Sequence, residues 1–208
     1  MAFPFLPAGA KGYLSRAFQF TRQFLFKWTV NWRFVGEENF LSREFATALG
    51  ICNLTGLVLF LGSRWTRPSG LTIPDFVKTT FKPLPPLVQQ QLSLNITPDF
   101  VMTTVLSSMA IGLLCARSLH YQFYAYIAWS SPFLLWKARL HPIIIYLVWT
   151  AQEWAWNVYP STNVSSMMVV GCLAIQVFGV WWGTRDEFSD VRITHPQGPE
   201  TGKDEPEE

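Results

Sequence analysis

The chain has 208 residues, of which half are hydrophobic and 16% aromatic, with ten Trp, while 14% are charged, against roughly 25% in an average soluble domain. That composition excludes an ordinary soluble domain and identifies an integral membrane protein, with the lipid bilayer as its solvent. The net charge of +2 sums a basic front and an acidic tail, and no basic patch stands clear of the apolar segments, which excludes nucleic acid as a partner.

At the front, Lys11, Arg16, Arg22 and Lys27 interrupt any continuous apolar stretch of the kind a secretory signal needs, so insertion is expected from internal spans. Within residues 13–34 the charges recur too often for an unaided crossing. Phe20, Phe24, Trp28 and Trp32 follow one another at i+4 steps, while Arg16, Arg22, Lys27 and Arg33 fall away from that stripe. The pattern predicts an amphipathic helix lying in the headgroup layer, with a helix buried against other spans as the alternative. Five runs with little or no charge follow, at 45–62, 100–116, 121–136, 142–158 and 164–183, near the roughly 20 residues that cross a bilayer core. Trp and Tyr near several of their ends match the interfacial belt. Between the first two runs, residues 63–98 carry Pro68, Pro74, Pro83, Pro85, Pro86 and Pro98, which keep the backbone out of long helices and predict an extramembrane connection. Residues 184–208 hold eight acids against three basic side chains and read as a disordered acidic tail. The expected fold is therefore all-α: a polytopic helical membrane protein with about five transmembrane helices and an interfacial helix at its N-terminus. Cys52, Cys115 and Cys172 lie inside apolar runs, where a thiol behaves as a small hydrophobe, so neither a disulfide nor a metal site is expected.

Five crossings sort the polar segments onto two faces. The front segment, the junction at 117–120 and the turn at 157–163 share one; the proline-rich loop, Lys137 to Arg139 and the tail share the other. Arg64, Arg67, Lys137, Arg139 and Arg185 weight the second face toward the cytosol, leaving the first face lumenal or exterior. On this reading the sequon at Asn95 is cytosolic, and the one at Asn53 lies within a span; neither should carry glycan.

The chemistry-bearing residues gather on the first face. Arg117 and His120 are three apart, which on a helix makes them neighbours able to grip a phosphate oxygen. Lys27 and Arg33, interleaved with Trp28, Asn31 and Trp32, form a second basic and aromatic cluster, and Tyr121 and Gln122 extend the first. Aromatic faces with amide and guanidinium donors suit a sugar or a phosphorylated lipid; the competing reading is interfacial anchoring. Glu153 is the only acid inside an apolar run, sharing a helical face with Trp149, Trp156 and Asn157. An ionisable group at that depth marks function or a buried pair, with Arg117 as the candidate partner.

The strings at 22–34, including Lys27-Trp28-Thr29-Val30-Asn31-Trp32-Arg33, at 117–124, beginning Arg117-Ser118-Leu119-His120-Tyr121-Gln122, and at 153–162, including Glu153-Trp154-Ala155-Trp156-Asn157, resemble the C-terminal half of the dolichyl-phosphate-mannose-dependent alpha-1,3-mannosyltransferases of the endoplasmic reticulum. The resemblance runs from about Tyr13 to Gly183. It implies a multi-pass enzyme of the GT-C type that takes mannose from dolichyl phosphate mannose on the lumenal side and attaches it in alpha-1,3 linkage to the five-mannose dolichol-linked oligosaccharide of N-glycan precursor synthesis. No cofactor is implied beyond the lipid donor. Such a transfer inverts the anomeric centre and needs a carboxylate base. The family carries its aspartate in a first lumenal loop that this sequence does not contain, so the resemblance implies a fragment or truncated product of about half length. No catalytic base is assigned, although Glu37 and Glu38 follow the Trp28 to Arg33 cluster. Residues 1–183 are thus read as a partial membrane domain, with Lys27, Trp28, Asn31, Trp32, Arg33, Arg117, His120, Tyr121 and Gln122 as substrate contacts and Glu153 and Asn157 as intramembrane polar support. A non-catalytic binding or assembly protein derived from half of such an enzyme is the alternative.

Overall fold

The structure, a computed structural model, describes residues 6–17, 25–82 and 84–187. Among these residues the secondary structure is helical, with no strand. The helix expected over 13–34 does not form as one element. α1 (Leu6–Ala17) covers only residues 13–17 of it, Phe20 and Phe24 lie outside the described residues, and from Leu25 the chain passes through a 3-10 turn at Phe26–Trp28, an extended stretch and a second 3-10 turn at Arg33–Val35. The cause is tertiary. Val30 donates its N–H to Leu119 O at 2.9 Å, outside its own segment, and Trp32 is left-handed at φ 53, a conformation bulky residues adopt only where their surroundings impose it. Trp28 and Trp32 therefore share no helical stripe.

After the short α2 (Glu37–Leu41), α3 (Arg43–Phe60) starts on Ser42, whose hydroxyl accepts from Phe45 N at 3.1 Å, the ordinary N-cap arrangement. It runs on through a π turn at Leu61–Trp65. The proline-rich loop folds into two short helices, α4 (Ile73–Phe81) and α5 (Pro86–Asn95), each with proline in its first turn, where a missing N–H costs nothing. α6 (Pro98–Cys115) is capped by Thr97, and α9 (Asn163–Gly183) by a reciprocal Thr162–Ser165 capping box.

Three segments, Arg43–Ser69, Pro98–Cys115 and Asn163–Gly183, are long and apolar enough to cross a membrane. α7 (Tyr124–Lys137) and α8 (Pro142–Asn157) have 14 and 16 residues. At 1.5 Å per residue they reach only about 21 and 24 Å, against a hydrocarbon core of about 30 Å. The five expected crossings thus become three helices of spanning length and a shorter antiparallel pair. Ile51, Leu54, Val58, Val101, Val105, Ile143, Leu147 and Phe178 are exposed on these helices, an apolar exterior suited to lipid.

α9 is the hub, packing against α6, α7 and α8. Around it one apolar cluster joins Val30 and Leu119 of the non-helical segments to Leu113, Ile127, Trp156, Val169 and Leu173. A second, toward the other end, joins Phe60, Ala110, Ile111, Leu134, Val177 and Val180. Close approach of α9 to the end of α7 depends on two glycines one turn apart. A Cβ on Gly179 would lie 2.6 Å from the Ala138 methyl, and one on Gly183 would strike the Lys137 carbonyl oxygen. Inside the α7–α8–α9 contact, Ser131, Gln152 and Gln176 close a fully buried hydrogen-bonded ring, with Gln176 Nε2 donating to Gln152 Oε1 at 2.6 Å and Gln152 Nε2 to Ser131 Oγ at 2.8 Å. At the end holding Trp181, Arg64 donates to the Trp181 carbonyl through Nε and Nη2 at 2.9 and 2.6 Å, and buried Lys137 bridges Asp99 and Glu187. Residues 184–187 of the predicted tail therefore pack back onto the bundle; residues 188–208 lie outside the described residues. Cys52, Cys115 and Cys172 are free thiols.

Candidate functional site

At the opposite end three segments outside the α-helices meet: residues 26–35, residues 116–123 between α6 and α7, and the turn at 158–162 between α8 and α9. They belong to the three strings singled out in the sequence. Why they interlock is legible in their side chains. Asn31, with no exposed surface, donates through Nδ2 to Ala116 O at 2.6 Å and accepts at Oδ1 from Leu119 N at 2.8 Å and from the Thr29 hydroxyl at 3.0 Å. Its amide thus fills the backbone gap left where α6 unwinds. Ser161 Oγ donates to Thr29 O at 2.7 Å, the Tyr121 hydroxyl to Val158 O at 2.7 Å, and Arg33 N to Ser166 Oγ at 2.7 Å. His120 Nδ1 lies 3.2 Å from Trp28 O. Buried polar groups are costly unless paired, and the bonds of Asn31, Ser161 and Arg33 supply that pairing between segments more than eighty residues apart.

On this scaffold the basic groups are arranged around aromatic rings. The Arg33 guanidinium lies 4.9 Å from the Phe26 ring centroid and donates to Phe26 O at 3.3 Å. Arg117 lies 5.9 Å from the ring of Phe40, and the Phe26 and Phe40 rings meet edge to face at 5.3 Å. Two guanidiniums therefore flank one aromatic pair, each oriented by cation–π contact. Arg33, Arg117, His120 and Tyr121 are half-buried; Lys27, Trp28 and Gln122 are exposed, with Lys27 Nζ 5.6 Å from the Trp28 ring. Tyr121 stacks edge to face on Tyr159 at 5.7 Å. Arg117 and His120 do not sit on one helix, as expected from their spacing, because α6 ends at Cys115 and residues 116–120 are irregular. The Asn31 amide bonds the backbone beside each of them, at Ala116 O and Leu119 N.

Trp32 connects this rim to a groove. Its left-handed backbone turns the indole against Phe34 and Phe45, each at 5.7 Å. The same ring lines an apolar groove of about 530 Å³ walled by α3, α6 and α9, with Ile111, Leu114, Val177 and Phe178, ending near Trp181. Among the described residues the buried Trp32 Nε1 has no hydrogen-bond partner.

Glu153 accepts from the Tyr124 hydroxyl across the α7–α8 contact, rather than from Arg117, and Asn157 Nδ2 donates to Glu153 O at 2.7 Å. Glu153 is thereby tied into the helix pair one turn below the rim. Glu37 and Glu38 are exposed in the first turn of α2, where carboxylates suit the helix dipole. Sequence reasoning passed over Phe26, Thr29, Phe40, Ser161 and Ser166. Thr29 and Phe26 stood in a flagged string; Ser166 carries no local signal, since its role is one hydrogen bond to a distant N–H.

A family model described as ALG3 protein matches residues 1–166. The chain belongs to this family. Relatives named Dol-P-Man:Man(5)GlcNAc(2)-PP-Dol alpha-1,3-mannosyltransferase include one from Neurospora crassa, 52% identical over 89% of this chain and 43% of the relative. One from Homo sapiens is 41% identical over 88% of the chain and 41% of the relative, and one from Scheffersomyces stipitis 40% identical over 81% and 36%. The chain thus spans about two fifths of the length of these curated relatives, as the sequence resemblance implied. No solved structure matches it.

Proposed function

We propose that this chain is the phosphate- and lipid-holding part of an alpha-1,3-mannosyltransferase of the endoplasmic reticulum membrane, acting with dolichyl phosphate mannose as donor and the five-mannose dolichol-linked oligosaccharide as acceptor. The observation that carries the reading is the junction itself: two guanidiniums and an imidazole on an aromatic platform, joined through Trp32 to an apolar groove. A polyprenyl phosphate has that same division, a charged head and a long apolar tail. In the reading, Arg33, Arg117 and His120 hold the phosphate, Trp28, Tyr121 and Gln122 meet the sugar, and the isoprenoid chain lies along the groove. Asn31 positions the rim. The rim faces the lumen, with α7 and α8 completing five crossings by means of their flanking turns.

Chemically, the acceptor hydroxyl attacks the anomeric carbon, its C–O bond to the donor phosphate breaks with inversion, and dolichyl phosphate leaves as an anion. Guanidiniums held at the rim by their ring contacts would stabilise the charge on that phosphate as it develops. The proton of the attacking hydroxyl passes to a carboxylate, for which Glu37 and Glu38 are the acids nearest in sequence to the rim; no residue here is assigned as the base. A second reading, in which this chain binds substrate or partner without transferring mannose, is favoured by the rim itself, beside which Glu37 and Glu38 are held at the exposed start of α2.

The test is kinetic. In a full-length relative carrying Arg33→Ala and Arg117→Ala at the matching positions, each loss of a charge-assisted hydrogen bond, about 1.5–3 kcal/mol, should raise the apparent KM for dolichyl phosphate mannose by roughly 10- to 100-fold, with Lys restoring part of it. An unchanged KM in both variants would remove the phosphate role. Labelled-mannose transfer by this chain, alone and coexpressed with the remainder of a relative, separates the two readings.

A further inference from the structure

The proline-rich loop contains an apolar surface that the bundle does not cover. At about 100° per residue, Phe76, Ile73, Val77 and Phe81 fall on one arc of α4, while Asp75, Lys78 and Thr79 fall on the opposite arc. Ile73 and Val77 are 41% and 47% exposed and Phe81, at the end of the stripe, 85%, a costly arrangement in water. The opposite arc is built to stay wet. Asp75 accepts from the Thr72 hydroxyl at 2.7 Å and from Lys78 Nζ at 2.9 Å. The Thr72 hydroxyl and Lys78 hold its carboxyl below the usual carboxylate range, so that arc carries full charges at neutral pH.

Where the helix sits decides what covers it. Gly62, in the π turn that follows α3 within the last two turns of the first spanning segment, is so close to Ile73 that an added Cβ would lie 2.8 Å from Ile73 Cδ1. α4 therefore begins against the terminal turns of a membrane-length helix. The loop's other end is tied back as well, Asn95 Nδ2 donating to Pro68 O at 3.4 Å, three residues before α6 begins. The connection is held at the height of the span ends, and Leu87, Leu94 and Ile96 add further exposed apolar side chains to it at 71%, 79% and 50%. A short helix with one apolar and one charged arc, fixed at that height, has the form of an interfacial helix, and Lys78, together with Lys82 just past the helix end, can reach up to headgroup phosphates along their apolar stems.

We infer that α4 is a membrane-surface helix whose Ile73, Val77 and Phe81 side chains lie in the boundary between headgroups and acyl chains of the leaflet at the Trp181 end of the bundle. The inference is independent of the transferase reading, since it concerns the end remote from the guanidinium rim.

The full chain, with Cys52, Cys115 and Cys172 replaced by Ala, is reconstituted into phosphatidylcholine–phosphatidylserine liposomes carrying one NBD-labelled cysteine, from Phe81→Cys, Val77→Cys or Lys78→Cys. Probes at 81 and 77 should emit to the blue of the probe at 78 and be quenched several-fold more by a shallow acyl-chain nitroxide than by aqueous iodide, with the order reversed at 78. Equal iodide quenching at all three positions overturns the inference. So does protection at 81 that is present in microsomes and absent in liposomes, which would mean that a protein covers the face. A second measurement keeps the native cysteines: amide exchange across residues 73–81 in liposomes should rise several-fold in the Val77→Asp, Phe81→Asp double variant, and an unchanged rate also overturns it.

Discussion

A single carboxamide decides the shape of the rim. Asn31 replaces, for Ala116 O and Leu119 N, the partners those groups lose where α6 ends. Asn31→Ala should therefore leave two buried backbone groups unsatisfied, at about 1–3 kcal/mol each, and lower the thermal unfolding midpoint in detergent markedly. Ser161→Ala, which removes only one donor to Thr29 O, should lower it less. If the two variants melt alike, Asn31 is not the keystone. The sequence reads Asn31 as one of the substrate contacts, and the structure shows its amide buried and bonded to backbone. Composition reveals that a donor is present near guanidiniums and indoles; it does not reveal that the donor's bonds are already taken by backbone from residues far along the chain. The same blindness applied to Arg117 and His120, whose three-residue spacing has meaning only while the helix continues.

Helix packing rests on small side chains and on one polar ring. Gly179 and Gly183 form a small-xxx-small pair of the kind that lets membrane helices approach closely, here against Ala138 and Lys137. Gly183→Ala should cost about 1–3 kcal/mol through overpacking, more than Gly171→Ala, whose added methyl meets nothing within 4 Å; unfolding in mixed micelles would rank them. For the Ser131–Gln152–Gln176 ring, a double-mutant cycle between Gln152→Ala and Gln176→Ala should give a coupling of about 0.6–1.7 kcal/mol, the range of interhelical hydrogen bonds in membranes. A coupling of zero would mean that the ring contributes packing alone. Element types were largely legible: the uncharged runs at 45–62, 100–116 and 164–183 became α3, α6 and α9. The helix expected over 13–34 was not, because tertiary hydrogen bonds at Val30 and Asn31 override a periodic aromatic pattern.

For the whole molecule, the decisive property is two polar ends separated by an apolar waist. Single cysteines at positions 27 and 122 should react with an impermeant maleimide from the same side of sealed microsomes, and one at position 139 from the other; reaction of 27 and 122 from opposite sides would dissolve the rim. Grouping of the three strings at one end could be read from the order of apolar runs alone, while the depth of each crossing could not, since α7 and α8 fall short of hydrocarbon thickness and owe their place to α9. The long-range ties of that rim also set a timetable. Residues 29–33 leave the ribosome ahead of all their partners: Ala116 and Leu119 follow α3 and α6, and Ser161 and Ser166 emerge only after α7 and α8. During synthesis the first of the three strings can dock on the second once Leu119 is made but gains its ties to Ser161 and Ser166 only when the last arrives, so a nascent chain stalled before residue 161 holds a half-closed rim.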